Sequence, residues 1–260
     1  MTSEPLEAAI EEAARLVANA THLVAFVGAG LSVESGVPTF RGPDGLWTKM
    51  GEPDMRGYDR FLEDPKKWWE ERSQRAGEMK EFVDKLEEAV PNDGHYALRD
   101  LEEAGFLKHI ITQNIDNLHY IAGSLAITEI HGNRTKMRCI GCSQRWDIYH
   151  FDIEGSPPSC PDCGGMIKGD TVMFGEPIPR DALESCALQA EMCDCMLLIG
   201  TSAVVYPAAS FPEEVKRHGG TLIEVNPNET PLSGASDVIL RGAAGEVLPK
   251  VMAQAKEFAA

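Results

Sequence analysis

Three observations predict an α/β fold built on a doubly wound parallel sheet. Short apolar runs without polar alternation, the pattern of strands buried on both faces, alternate with stretches of helical period. Polar and glycine residues gather just beyond the ends of those runs, at Gly28–Ser32, Gln113–Asp116, His131, Gly200–Ser202 and Asn226. The first run, Leu23–Val27, passes straight into Gly28-Ala29-Gly30, where glycines permit a tight turn and close approach to a phosphate. Such a sheet binds its ligand outside the carboxyl ends of its strands, so five strand ends nominate one crevice.

The elements follow in order. Leu6, Ala9, Ile10, Ala13, Ala14 and Val17 form the stripe of a helix over 5–20. After the strand at 23–27, a helix start would offer free N–H groups to an anion. The spacing departs from the dehydrogenase fingerprint, because its third glycine would fall on Val33. Gly36, Pro38 and Gly42 carry the chain into a loop, and residues 42–66, rich in Gly, Pro and charge, read as loop. Residues 65–89, with Trp68 and Trp69, read as a charged helix. His95–Gly105 is an amphipathic helix stopped by Gly105. Strands follow at 106–112 and 126–130. Residues 136–170 read as strand-poor. Helices at 181–191, 211–218 and 245–258 alternate with strands at 196–199, 221–225 and 238–240.

Composition bounds the function. The formal charge of −17 and a pI near 4.8 argue against general nucleic-acid binding through a basic surface. They are compatible with cationic partners such as lysine-rich peptides. No apolar run approaches the ~20 residues of a membrane span. The opening Met-Thr-Ser-Glu-Pro-Leu-Glu lacks a basic n-region, and seven cysteines, an odd number, suit a reducing compartment. The expected location is cytoplasmic.

Cys139-x-x-Cys142 and Cys160-x-x-Cys163 predict a zinc ribbon. Four thiolates close a tetrahedral shell and leave no position for water, so the metal is expected to be structural. Zinc ribbons also serve nucleic-acid binders, but this one carries few bases: Lys136, Arg138, Arg145 and Lys168. Cys186, Cys193 and Cys195 read as core packing.

Taken together, Gly28-Ala29-Gly30-Leu31-Ser32, Gly36-Val37-Pro38-Thr39-Phe40-Arg41, Thr112-Gln113-Asn114-Ile115-Asp116, His131-Gly132, the four cysteines, Phe174-Gly175-Glu176, Gly200-Thr201-Ser202 and Val225-Asn226 resemble the sirtuins, the NAD-dependent protein lysine deacylases, in the family's order. The resemblance covers about residues 5–255. It implies a Rossmann-like NAD-binding domain from 1–42, 91–135 and 172–260, with a small domain made of a helical insertion at 43–90 and the zinc ribbon at 136–171.

The resemblance also implies a reaction in which NAD is consumed. The acyl-lysine carbonyl oxygen attacks C1′ of the nicotinamide ribose, and nicotinamide leaves. A histidine then serves as base on a ribose hydroxyl, which attacks the resulting imidate, and water releases free lysine and O-acyl-ADP-ribose. His131 matches that base, and an imidazole suits the role near neutral pH. Asn114 and Asp116 match the residues that hold the ribose and the nicotinamide amide. NAD contacts are implied at Gly28, Ala29, Gly30, Ser32, Phe40, Arg41, Gln113, Ile115, Gly200, Thr201, Ser202, Asn226 and Ala243. Phe40 would shield the reacting centre. Val172 and Phe174 would line the acyl-lysine tunnel, while Gly175-Glu176 and Val204–Tyr206 would hold the peptide by strand addition.

Specificity is less determined. Thr39 stands where many members carry aspartate, which resembles the branch that includes desuccinylases and several prokaryotic deacetylases. Their Tyr-x-x-Arg pair maps to Arg72 and Arg75 when anchored at Trp69-Glu70, and to Met79 and Phe82 when anchored at Pro91-Asn92. The helix between these anchors is about seven residues longer than usual, roughly two turns. Plain deacetylation is the favoured expectation. The alternatives are desuccinylase or demalonylase specificity, mono-ADP-ribosyl transfer at the same NAD site, and a non-catalytic NAD or ADP-ribose sensor.

Overall fold

The computed structural model describes residues 3–42, 45–73 and 77–259. Along the chain come α1 (Ser3–Asn19), β1 (Leu23–Val27), a 3-10 helix over Ala29–Ser35, α2 (Leu46–Met50), α3 (Gly57–Glu63), α4 (Pro65–Ser73), α5 (Gly77–Glu88) and α6 (Asp93–Glu103). Then follow β2 (Leu107–Thr112), α7 (Leu118–Ala122), β3 (Ile127–Glu129), β4 (Lys136–Cys139), β5 (Arg145–Asp147) and β6 (Ile167–Gly169). The chain ends with α8 (Arg180–Met192), β7 (Cys195–Ile199), α9 (Ser210–Arg217), β8 (Thr221–Val225), β9 (Val238–Leu240) and α10 (Ala244–Ala259).

The main sheet has six strands in the order β3-β2-β1-β7-β8-β9, and every pairing is parallel. The order runs outward in both directions from β1 and β7, so the topological switch point lies between them. All five residues of β1 are buried. Their alternation divides two cores: Leu23, Ala25 and Val27 join residues of α1, α6 and α10, whereas Val24 and Phe26 join residues of α8 and α9. This is the doubly wound α/β sheet that the buried runs predict.

Between β3 and α8 the chain makes a second, three-stranded antiparallel sheet in the order β5-β4-β6. Residues 136–170 are thus not strand-poor. The strands have only three or four residues, too few for period-2 alternation to register. Residues 42–66 are likewise more than loop. The helices α2 and α3 bury single anchors, Leu46 and Phe61, and one anchor gives no helical stripe. The predicted helix over 65–89 is two helices, α4 and α5.

The turn after β1 is a 3-10 helix rather than the start of an α-helix. It stops at Gly36, whose φ of 85° lets its N–H reach the carbonyls of Ser32 and Val33. The start of α6 is tied to this turn. The Asn92 side chain caps the helix by accepting the Gly94 N–H at 2.9 Å. Its amide also donates to the Leu31 carbonyl at 2.8 Å and to Ser35 Oγ at 2.9 Å.

Candidate active site

The glycines at the switch point interlock. The Gly28 N–H donates to the Ile199 carbonyl at 2.9 Å, and the Gly30 N–H to the Gly200 carbonyl at 2.8 Å. A Cβ on Gly30 would lie 2.5 Å from Gly200 Cα, and one on Gly200 would lie 2.4 Å from the Leu31 nitrogen. Each glycine is required by the other turn. Gly200 also has a φ of 57°, where a side chain is strained whatever the space.

Polar side chains from the ends of β1, β2 and β7 then meet. Asn114 donates from Nδ2 to the Gly28 carbonyl at 3.1 Å and to Ser32 Oγ at 3.2 Å. Ser32 in turn donates to Asp116 Oδ2 at 2.7 Å, and the other Asp116 oxygen accepts the Leu118 N–H at 3.0 Å. Gln113 donates to Thr201 Oγ1 at 2.9 Å, which also accepts the Ala203 N–H at 3.0 Å. Asn226 reaches the Thr201 carbonyl at 3.5 Å. Ser32, Asn114, Asp116 and Thr201 are buried. Burial pushes the Asp116 carboxyl above its ordinary pKa, and the Leu118 N–H and the Ser32 hydroxyl partly oppose this. Ala29 and Ile115 are half-buried beside the network and Ser202 is exposed. Ala243 stands at the start of α10, where its carbonyl accepts the Glu246 and Val247 N–H groups.

His131 follows β3. Its Nδ1 lies 3.2 Å from the Gln113 carbonyl. A carbonyl can only accept, so Nδ1 carries the proton and Nε2 keeps its lone pair. Burial lowers the imidazole pKa, against a smaller opposite effect of that carbonyl. The His131 carbonyl accepts the Val172 N–H at 2.8 Å, so the proposed base and the Val172–Glu176 segment share one backbone link.

A chain of rings leads away from that segment. Phe174 meets Trp47 at 5.3 Å between centroids, Trp47 meets Phe40 at 5.0 Å, and Phe40 meets Phe82 at 5.5 Å. Met79 packs on the same cluster. The neighbourhood of Phe40 is therefore apolar on the α5 side. Arg75 and the Arg72 side chain lie outside the described residues. The Tyr58 N–H donates to the Phe174 carbonyl at 3.0 Å, a contact for which the sequence carries no recognisable signal.

Arg41 and Glu176 complete the residues that the resemblance singles out. Arg41 is exposed, stacked 4.6 Å over Trp47 and paired with Glu52 at 3.4 Å, and makes no bond to the glycine turns. Glu176 turns its side chain inward, with 2% of it exposed, so only its backbone is available to a peptide. Gly175, Val204 and Tyr206 are exposed.

The four cysteines converge. Their Sγ atoms all lie within 4.8 Å of one another, with Cys139–Cys163 at 3.5 Å and Cys142–Cys160 at 3.7 Å. Zinc bonded at about 2.3 Å to four sulfurs requires tetrahedral edges of about 3.8 Å, so the set fits a closed zinc site. The Gly141 and Gly165 N–H groups point at Cys139 and Cys163 Sγ, at 3.3 and 3.4 Å, as suits thiolates. Cys186, Cys193 and Cys195 are buried apart from this group.

Known proteins share this arrangement. The Sir2 family model matches residues 28–207. An NAD-dependent protein deacylase of Thermococcus kodakarensis is 43% identical over 254 residues, covering 95% of this chain and 96% of its own. A crystal structure of a Sir2 homologue with NAD is 39% identical, with a TM-score of 0.78, and covers 96% of this chain and 95% of its own. A Sir2 structure with a deacetylated p53 peptide and 3′-O-acetyl ADP-ribose is 32% identical, with a TM-score of 0.77, and covers 94% of this chain and 98% of its own. On the family match and on identity across nearly the full length, the chain belongs to the Sir2 family.

Proposed function

We infer that this chain is an NAD-dependent protein lysine deacylase that consumes NAD and carries one structural zinc ion. The observation that carries the reading is the fixed tautomer of His131 beside the Asn114–Ser32–Asp116 network, where a sensor would need no base. NAD, when bound, supplies a ribose carbon that becomes electrophilic as nicotinamide departs. His131 Nε2 is the atom that takes the hydroxyl proton, while Nδ1–H stays on the Gln113 carbonyl. Asn114 and Asp116 hold the nicotinamide ribose and amide. The turns at Gly28–Ser32 and Gly200–Ser202 receive the phosphates, and Asn226 and Ala243 the adenosine end. Arg41 must leave Trp47 to reach a phosphate, a movement its exposure permits.

For the substrate we propose that Val172 and Phe174 line an apolar acyl-lysine tunnel, with Gly175 and Val204–Tyr206 holding the peptide backbone. The Phe82–Phe40 contact supports an acetyl or longer apolar acyl group over a succinyl group. The charge of −17 supports basic, lysine-rich protein segments as partners rather than nucleic acid. Seven free cysteines support a reducing location such as the cytoplasm. Among the described residues no helix is long and apolar enough to cross a membrane.

The test is incubation with NAD and matched acetyl, succinyl and long-chain acyl peptides, with products identified by mass. Nicotinamide, O-acyl-ADP-ribose and free lysine are expected, with acetyl preferred over succinyl. Transfer of label from NAD to protein without acyl turnover would replace deacylation with ADP-ribosyl transfer. Succinyl preference would refute the apolar pocket.

A further inference from the structure

The antiparallel sheet reaches the Val172–Glu176 segment through buried charges. Lys168, on β6, has a fully buried side chain. Its Nζ donates to the carbonyls of Gly169 at 2.9 Å and Thr171 at 2.8 Å, and pairs with Glu176 Oε2 at 2.9 Å. Arg138, on β4, donates from Nη2 to Glu176 Oε1 at 2.6 Å and from Nε to Asp170 Oδ1 at 2.8 Å. Glu176 Oε2 also accepts the Met173 N–H at 2.8 Å. Asp170 Oδ2 accepts the Asn133 N–H at 3.0 Å, two residues beyond His131.

A cluster of this kind is a costly way to gain stability. Desolvating each ion costs several kcal/mol, and apolar replacements often serve as well. Its product here is geometric. Between the end of β6 and the start of α8 the segment belongs to no strand or helix. Its path is fixed instead by donors from β4 and β6, together with the Tyr58 N–H on the Phe174 carbonyl and the Val172 N–H on the His131 carbonyl. Burial draws the Lys168 ammonium down to about 8, while Glu176 opposes this and holds it charged.

We propose that Glu176 and Lys168 are positioning residues for the acylated substrate. Through Lys168–Glu176–Arg138, the zinc-bearing sheet sets the shape of the Val172–Gly175 wall, and so controls affinity for the peptide separately from affinity for NAD. This rests on the assignment of that wall to the acyl-lysine under Proposed function. It gives the ribbon a share in substrate recognition without contact between metal and substrate.

The experiment uses the full-length, zinc-loaded protein with Glu176→Gln, Lys168→Met and the double variant. It reads the KM of an acetyl-lysine peptide, the NAD dissociation constant, zinc per chain and Tm. Each single change is expected to raise the peptide KM about tenfold, as loss of a buried partner implies. NAD affinity should stay within about twofold and zinc at one per chain. The double variant removes one charge of each sign and leaves Arg138 paired with Asp170, so it should be no worse than either single one. An unchanged peptide KM overturns the proposal, and so does parallel loss of peptide and NAD affinity, which marks a merely structural role. If the single variants fail to fold, Glu176→Asp, which keeps the charge but withdraws the carboxylate by one methylene, must show the same split. If the unmodified protein binds no acylated peptide, the assignment of the wall fails rather than the role of the cluster.

Discussion

The two sheets hold their functional groups in opposite ways. At the switch point of the parallel sheet, Gly30 packs on Gly200, and Asn114, Ser32 and Asp116 form a hydrogen-bond network with a single ionisable group. Beneath it β1 and β7 are apolar and fully buried. In the antiparallel sheet the four thiolates and the charges of Arg138, Lys168, Asp170 and Glu176 occupy a fold with few apolar residues, among them Met137 and Ile167. One region rests on apolar packing and interlocked glycines, whereas the other is built around buried ion pairs and a cluster of four cysteines. Chemistry belongs on the first and adjustable recognition on the second.

The sharpest break in this contrast is His131→Ala. Deacylation should fall ~10²–10⁴-fold, the usual loss with a general base, while Tm and NAD binding stay near the parent values. A concurrent collapse of Tm would show that the parallel sheet depends on its site after all. Cys160→Ser acts on the other region. Three sulfurs no longer close the shell, so zinc content, Tm and peptide turnover should fall together, and metal analysis beside a melting curve checks this. An unchanged Tm in zinc-free protein would end the contrast.

Gly200→Ala should cost about 1–3 kcal/mol, because a Cβ at a φ of 57° meets the Leu31 nitrogen. NAD affinity should drop with it, while zinc binding stays intact. The last effect is acidic. His95 and His119 are buried edge to face, 5.2 Å apart, and burial lowers them to about 4 and about 3 from an ordinary 6.5. The unfolded chain binds protons that the folded chain refuses, so their contribution is full above pH 6.5 and is lost as pH falls from 6.5 towards 4. Urea midpoints at pH 7 and pH 5 should differ, with pH 5 lower, and equal midpoints would count against it.

Much of the parallel region was legible in the sequence because its signals are local. Leu23–Val27 is a strand by apolar continuity alone, and the polar residues after it, after β2 and after β7 fall at strand ends wherever the strands lie. The cysteine pairs declare themselves by spacing. What stayed hidden depends on partners far along the chain. Arg138 and Lys168 were legible only as two of the ribbon's few bases, because nothing near them in sequence shows that Glu176 lies opposite. Nothing near Glu176 in sequence shows that its side chain turns inward to meet them. Arg41 keeps its family position in sequence, yet its resting place on Trp47 follows from α2, a helix too short to leave a pattern.

The Asn92 link to Leu31 and Ser35 bears on how the chain tolerates change. Residues 31 and 92 are held together by one side chain, so everything between Ser35 and Asn92 is an excursion that leaves the scaffold and returns to nearly the same place. Closing a longer excursion costs little more than closing a shorter one. The length of α4 and α5 can therefore change at little cost to the scaffold. If the proposed acyl pocket is right, the module is an exchangeable cassette: swapping it should change which acyl groups are accepted while the nucleotide seat stays in register.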